Sequence, residues 1–223
     1  MVGYFLLKFA EWRRQREVER RYYQTFGDLD RAIRKAYRFS NPYRISTNYL
    51  KELYEPNIYQ YGETPLTVFE KIGKALNLGS KSHLMDLGSG RGRGAFFLHN
   101  QFGCTVTGVE QIPIFVQKAL NIVAAQDLRN INFRCENLLK TDLTGVTHVF
   151  FYGICMDDDD VEQVAQKLKS YSITIASVSF PLGDFEVLKT LMVNMPWGYT
   201  EVFIQKNSKA AIMDSYEKKM CAL

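Results

Sequence analysis

The chain has 223 residues, 46% of them hydrophobic and 23% charged, with a formal net charge of +4. That length suits one domain of ordinary size with an extension, and the balance of residue types is average for a soluble globular protein. No stretch approaches 18 consecutive apolar residues, which excludes a transmembrane helix.

The opening segment from Gly3 to Trp12 is apolar but short, with neither a basic leader nor a small-residue cleavage site, so no secretory signal is expected. The four cysteines, at 104, 135, 155 and 221, have no CxxC spacing and no nearby histidine pairs. Reduced thiols and a cytoplasmic location are the expectation, with no metal. Through residue 44 there are eleven basic side chains, from Lys8 to Arg44, against five acidic ones, so the N-terminal segment is about +6 in a chain of +4. Trp12, Tyr22, Tyr23, Tyr37 and Phe39 are interleaved with these charges. Two readings follow: a solvated basic face on packed helices, or a contact for nucleic acid or an anionic membrane.

In chain order, residues 4–38 read as one or two helices, with a break at Phe26-Gly27-Asp28 where Asp28 would cap the second. Asn41-Pro42 reads as the end of that arm. A helix over 46–54 follows, and another over 64–76 with Thr64 as its N-cap and Pro65 at its first turn. The arm is taken as 1–55 and the main domain as 56–223.

From residue 82 apolar strands alternate with helical stretches. Strands are predicted at 82–87, 104–109, 131–135, 147–153, 172–179 and 199–206, and helices at 92–102, 112–126, 159–169 and 184–193. That alternation predicts an α/β fold with a doubly wound, mainly parallel sheet and ligand binding at the carboxyl ends of the strands. Asp86, Glu110, Asn137 and Tyr152 fall at such ends.

The first strand runs into Asp86-Leu-Gly88-Ser89-Gly90-Arg-Gly92-Arg-Gly94. Glycines let backbone amides and a helix start approach a ligand closely, because no Cβ intervenes. A carboxylate two positions before the first glycine repels phosphate, whereas a ligand carrying ammonium and sulfonium groups is attracted to it. Dinucleotide turns place their acid about 20 residues later instead. S-adenosylmethionine is the common metabolite with that charge. Glu110, closing Cys104-Thr-Val-Thr-Gly-Val-Glu110, stands at the next strand end, where a carboxylate accepts hydrogen bonds from ribose hydroxyls.

The segment Asp86-Leu-Gly-Ser-Gly-Arg-Gly resembles the first motif, and Gly108-Val-Glu110 the second, of the seven-strand S-adenosylmethionine-dependent methyltransferases. Tyr61-Gly62-Glu63-Thr64, preceded by Tyr54-Glu-Pro, resembles the loop ahead of a helix in the Dot1-like lysine methyltransferases. The resemblance covers residues 54–182. It implies a seven-strand Rossmann-like sheet, S-adenosylmethionine as cofactor and a protein substrate. It also implies a cofactor site of Glu63, Thr64, Asp86, Gly88, Ser89, Gly90, Glu110, Gln111, Glu136 and Asn137, with Thr64 and Asp86 at the methionine end and Asn137 near adenine. Thr64 reads equally as a helix cap, and Asn137 as a turn residue. Arg91 and Arg93 read as solvated helix-start residues.

The chain departs from the Dot1-like pattern at Phe151-Tyr-Gly-Ile-Cys-Met156, where an asparagine-rich segment is expected, and at Asn137-Leu138, where aspartate and an aromatic are expected. Tyr152 is the candidate for orienting the methyl acceptor. The run Asp157 to Asp160 reads as the acidic first turn of a helix, as an acidic rim for a cationic substrate, or as a metal site. The leading expectation is methyl transfer to a protein lysine amine. The alternatives are a small-molecule, lipid or RNA methyltransferase and, more distantly, a nicotinamide-dependent oxidoreductase or non-catalytic nucleotide-binding module, for which Gly90-Arg-Gly92-Arg-Gly-Ala95 is a bare GxGxxA match.

Overall fold

Short runs such as His83-Leu-Met-Asp-Leu87 are too apolar for a half-solvated strand, so they need cover on both faces. In the computed structural model, which describes residues 20–207, they have it. The elements in chain order are α1 (described over 20–36), α2 (Pro42–Glu52), α3 (Leu66–Ala75), β1 (His83–Leu87), α4 (Arg93–Phe102), β2 (Thr105–Glu110), α5 (Pro113–Ala125) and β3 (Ile131–Cys135). They continue with β4 (His148–Phe151), α6 (Asp158–Leu168), β5 (Thr174–Val178), β6 (Glu186–Met195) and β7 (Gly198–Lys206).

The strands form one seven-stranded sheet in the order β3-β2-β1-β4-β5-β7-β6. The first five are parallel, and β7 runs antiparallel to both β5 and β6. Chain order reverses between β1 and β4, which makes the carboxyl ends of those two strands the switch point.

Two apolar layers cover the sheet, and strand residues divide between them with period two. Leu84, Val106, Phe150 and Ala176 join the layer built on α1, α3, α4 and α5. Met85, Leu87, Val149, Phe151 and Ile175 join the layer built on α6 and the loop at Leu143 and Val146. Tyr22, Phe26, Leu29 and Ile33 of α1 are buried in the first layer, so this helix shares the core of the sheet.

Several expectations are corrected. The segment 184–193, read as a helix, is most of β6. Its apolar residues at 187, 188, 191 and 192 mimic a helical stripe, but only Val193 and Met195 are buried. Pro196-Trp197 turns the chain into a hairpin, with Gly198 at φ +136° pairing Met195. The break at Phe26-Gly27-Asp28 does not occur. A glycine inside a helix costs about 1 kcal/mol, and the buried stripe on either side outweighs it. Asn41-Pro42 starts a helix instead of ending one: Asn41 Oδ1 accepts from Tyr43 N at 2.9 Å and Pro42 fills the first turn of α2. At α3 the N-cap is Pro65 and no side chain caps the helix, so Thr64 does not act as its cap.

Candidate active site

All eleven residues singled out by the sequence line one cavity of ≈ 300 Å³ at the switch point: Glu63, Thr64, Asp86, Gly88, Ser89, Gly90, Glu110, Gln111, Glu136, Asn137 and Tyr152. Four segments meet there. The end of β1 brings Asp86 and the glycine turn, and β2 brings Glu110. The ends of β3 and β4 bring Asn137 and Tyr152, and the strand-free loop 55–64 crosses over the opening.

Asp86 is 3% exposed, on the Leu84 face of β1 and in register with Phe150 of β4. Burial, with the charge of Glu110 added, pushes its carboxyl up to about 7. Among the described residues no cation is paired with it. Burying an uncompensated carboxylate is costly, so the site favours either a proton or a positively charged ligand at that position.

Glu110 is buried too, but its oxygens are engaged. Oε2 accepts from Gly90 N and Oε1 from Ile112 N, both at 2.9 Å. Burial raises this carboxyl, and the backbone N–H groups of Ile112, Gly90 and Gln111 offset part of that rise. Each oxygen keeps a lone pair for a hydroxyl donor.

The glycine turn differs from a phosphate cradle. Gly88 N and Ser89 N both donate to Val109 O at 2.9 Å, and Gly90 N is held by Glu110, so these amides are already used within the chain. Gly88 and Gly90 adopt φ +86° and +55°, and a Cβ on Gly90 would lie 3.0 Å from the Tyr61 ring. That ring therefore covers the turn directly. Ser89 Oγ is buried without a hydrogen-bond partner among the described residues, and Ser89 belongs to the cavity wall.

Tyr61 and Arg91 are lining residues whose roles the sequence did not expose. Arg91 forms a two-pronged pair with Glu63, Nε lying 2.6 Å from Oε1 and Nη2 donating to Oε2 at 2.8 Å. Tyr61 Oη also donates to Glu63, at 2.6 Å. The Glu63 carboxylate thus fastens the loop to the helix start. Arg93 pairs with Asp30 of α1 at 2.8 Å, the two side chains being 15% and 7% exposed. Neither arginine is a solvated helix-start residue, which corrects that expectation. Both partners lie far away in sequence, where no short-range spacing rule reaches.

Asn137 Oδ1 accepts from Leu139 N at 2.8 Å, a local turn, and the residue lines the cavity. Glu136 accepts from Thr141 Oγ1 and lies 3.8 Å from Arg134. Gln111 is exposed at the rim. Tyr152 follows β4 directly, half-buried, with its ring edge-on to Trp197 at 6.0 Å between centroids. Burial raises its hydroxyl above the usual tyrosine value. Asp157 and Asp160 also border the cavity, and Asp158 to Asp160 form the acidic first turn of α6.

Residues 43–149 match the family model described as Histone methylation protein DOT1. The match spans just under half of the chain and includes every cavity residue named above from Glu63 to Asn137, while Tyr152 lies beyond it. No curated protein matches the sequence. Among solved structures, an RNA methyltransferase from Salinibacter ruber in complex with S-adenosyl-L-homocysteine is 22% identical, with a TM-score of 0.57 over 66% of this chain and 95% of that one. Geranyl diphosphate C-methyltransferase from Streptomyces coelicolor A3(2) is 13% identical, with a TM-score of 0.53 over 64% of this chain and 75% of that one. The [4+2]-cyclase SpnF is 11% identical, with a TM-score of 0.53 over 64% and 80%. These likenesses establish the architecture, and the cyclase illustrates that the architecture alone does not fix a reaction. By sheet order and by these matches the chain has the class I methyltransferase fold, and its likeness to the DOT1 family model covers residues 43–149.

Proposed function

We propose that this chain transfers a methyl group from S-adenosylmethionine to the side-chain amine of a protein lysine. The observation that carries the reading is Asp86, a deeply buried carboxylate with no cation beside it among the described residues, 24 residues before a second buried acid at the neighbouring strand end. A ligand whose ammonium group meets Asp86 and whose ribose hydroxyls donate to Glu110 satisfies both. The unpartnered Ser89 Oγ is a further polar atom for it, and Thr64, Gly88, Gly90 and Asn137 complete the wall. The involvement of the Gly88, Ser89 and Gly90 amides in bonds within the chain argues against a pyrophosphate, and so against NAD.

When bound, S-adenosylmethionine supplies a methyl carbon made electrophilic by a positively charged sulfur. The protein's part is to hold the acceptor in line and keep water away. Orientation of this kind is worth several kcal/mol, up to ~7–11 in favourable cases. Leu50, Phe150 and Met156 line the same cavity and favour the neutral, nucleophilic form of an entering amine by desolvation. Asp157 and Asp160 attract its protonated form to the entrance, and the proton leaves toward that acidic rim. Tyr152, its ring fixed against Trp197, orients the amine through its hydroxyl. The description of the matching family as a histone methylation protein supports a protein acceptor.

Tritiated S-adenosylmethionine incubated with protein, RNA and lipid fractions tests the reading. Label is expected in protein, on lysine after hydrolysis, and absent with Asp86→Ala. Label confined to RNA or lipid would replace the acceptor while leaving the cofactor in place. Tyr152→Phe should lower kcat about tenfold, on the scale of a lost orienting contact, without changing affinity for S-adenosylhomocysteine. Full activity of that variant would remove Tyr152 from the mechanism.

A further inference from the structure

Beside the cofactor cavity runs a second concavity of ≈ 1080 Å³, formed where α1 passes into α2 and bordered by the start of α3 and by Pro196 of the β6–β7 turn. The two share Glu63, Thr64, Arg91 and Arg93 in their walls. Pro196 adjoins Trp197, whose ring meets Tyr152, so the groove borders the acceptor end of the site there. Its volume exceeds the ~300–1,000 Å³ usual for a small-molecule site, whereas the cofactor cavity sits at the bottom of that range. A polymer is the occupant that such a groove suits.

Charge identifies the kind. Arg91 and Arg93 are committed to Glu63 and Asp30. Arg38 and Arg44 are exposed on the groove and form no ion pair with any described residue. The Arg38 guanidinium stands over the Phe39 ring at 5.2 Å, and that ring is 93% exposed. Exposed Tyr43 completes an arginine-and-aromatic surface. Two guanidinium groups without an ion pair among the described residues match one or two carboxylates through paired N–H donors. Among the described residues they are few beside the ~6–10 phosphate contacts of a strongly salt-dependent nucleic-acid complex.

The geometry points to this groove as the seat of an acidic stretch of the acceptor polypeptide, adjacent to the lysine that enters at Tyr152. This rests on the lysine reading above and adds to it a rule of substrate choice: lysines flanked by aspartate or glutamate are preferred.

The test uses the full chain and a pair of lysine peptides, equal in length, one with Asp/Glu flanks and one with Ser/Gly flanks. The acidic peptide is expected to show a KM about tenfold lower, the scale of two charge-assisted contacts, and the double variant Arg38→Glu, Arg44→Glu should abolish that difference. Lys51→Glu, Lys81→Glu changes the net charge equally at exposed positions outside the groove and should preserve it. Retained binding of S-adenosylhomocysteine reports that each variant is folded. Equal KM values for the two peptides, or the same loss in the Lys51, Lys81 variant, would overturn the inference. So would a single-stranded RNA that competes better than the acidic peptide. If neither peptide is methylated, the lysine reading fails, and a fluorescent acidic peptide with norleucine in place of lysine still decides the groove. Tight binding abolished in the arginine variant supports it, and binding unchanged in that variant refutes it.

Discussion

Asp86 and Glu110 are both buried acids, yet they do different work. Glu110 is fixed by backbone amides of the glycine turn and of the chain beyond β2 while also lining the cavity. Asp86 has only burial and a neighbouring negative charge acting on it, and titrates at about 7. Because that is above the value of a free carboxyl, the folded chain retains a proton that the unfolded chain gives up between about pH 4 and pH 7, and stability of the free protein falls as pH rises through that window. A cationic ligand needs the carboxylate, so affinity for S-adenosylmethionine should rise through about pH 7 and then level off, with a proton released on binding below it. Calorimetric titrations between about pH 5.5 and pH 8.5 read this directly. Asp86→Asn should bind weakly with a flat pH profile, yet melt higher than the wild type at pH 8. A wild-type affinity independent of pH would mean that Asp86 does not meet the charge. Both acids were legible in the sequence because each stands at a strand end beside a glycine or a turn. The fastening of Glu63 by Arg91 was not, since the two residues are brought together by folding of the loop over the helix start.

The N-terminal elements illustrate how packing overrides local signals. Gly27 and Asp28 are a plausible stop and start, but Tyr22, Phe26, Leu29 and Ile33 form one buried stripe that only a continuous α1 can present. Phe26 and Tyr22 set their rings edge-on against Phe97 of α4, at centroid distances of 5.4 and 4.9 Å. Phe26→Ala should therefore cost about 3–5 kcal/mol, and Asp30→Ala, by stranding Arg93 in a mostly buried position, on the order of 3 kcal/mol. Urea unfolding measures both. Losses below about 0.5 kcal/mol, the level of ordinary surface substitutions, would mean that α1 is not part of the cooperative core. The five parallel strands were readable because apolar runs alternate with helical stretches. β6 was not, because an edge strand exposed along most of its length keeps no strict alternation, and the pairing that defines it comes from β7.

Across the whole molecule, the cavity at the switch point is where otherwise separate units touch. Ser46 and Leu50 belong to α2, residues 55–64 to the covering loop, Phe69 to α3, Arg93 and Gly94 to the start of α4, Asp160 to α6, and the remaining wall to the sheet and the loops at its carboxyl edge. A ligand there binds the folded chain only, and at 100 times its dissociation constant it stabilises the fold by about 2.7 kcal/mol. For a chain of this length that corresponds to a melting temperature higher by about 5–10 °C. S-adenosylhomocysteine should give such a shift in the wild type, along with slowed amide exchange over residues 55–64, where no strand or helix protects the backbone. NAD at the same concentration should give neither effect, because its pyrophosphate needs turn amides that Val109 O and Glu110 already occupy. Arg91→Ala separates closure of the loop from contact with the ligand. It removes the pair that holds Glu63, so exchange over 55–64 should quicken in the free protein while the melting shift with ligand persists at reduced size. If exchange in the free variant is unchanged, the loop is held by Tyr61 packing over Gly90 alone, and the ion pair contributes nothing to closing the site.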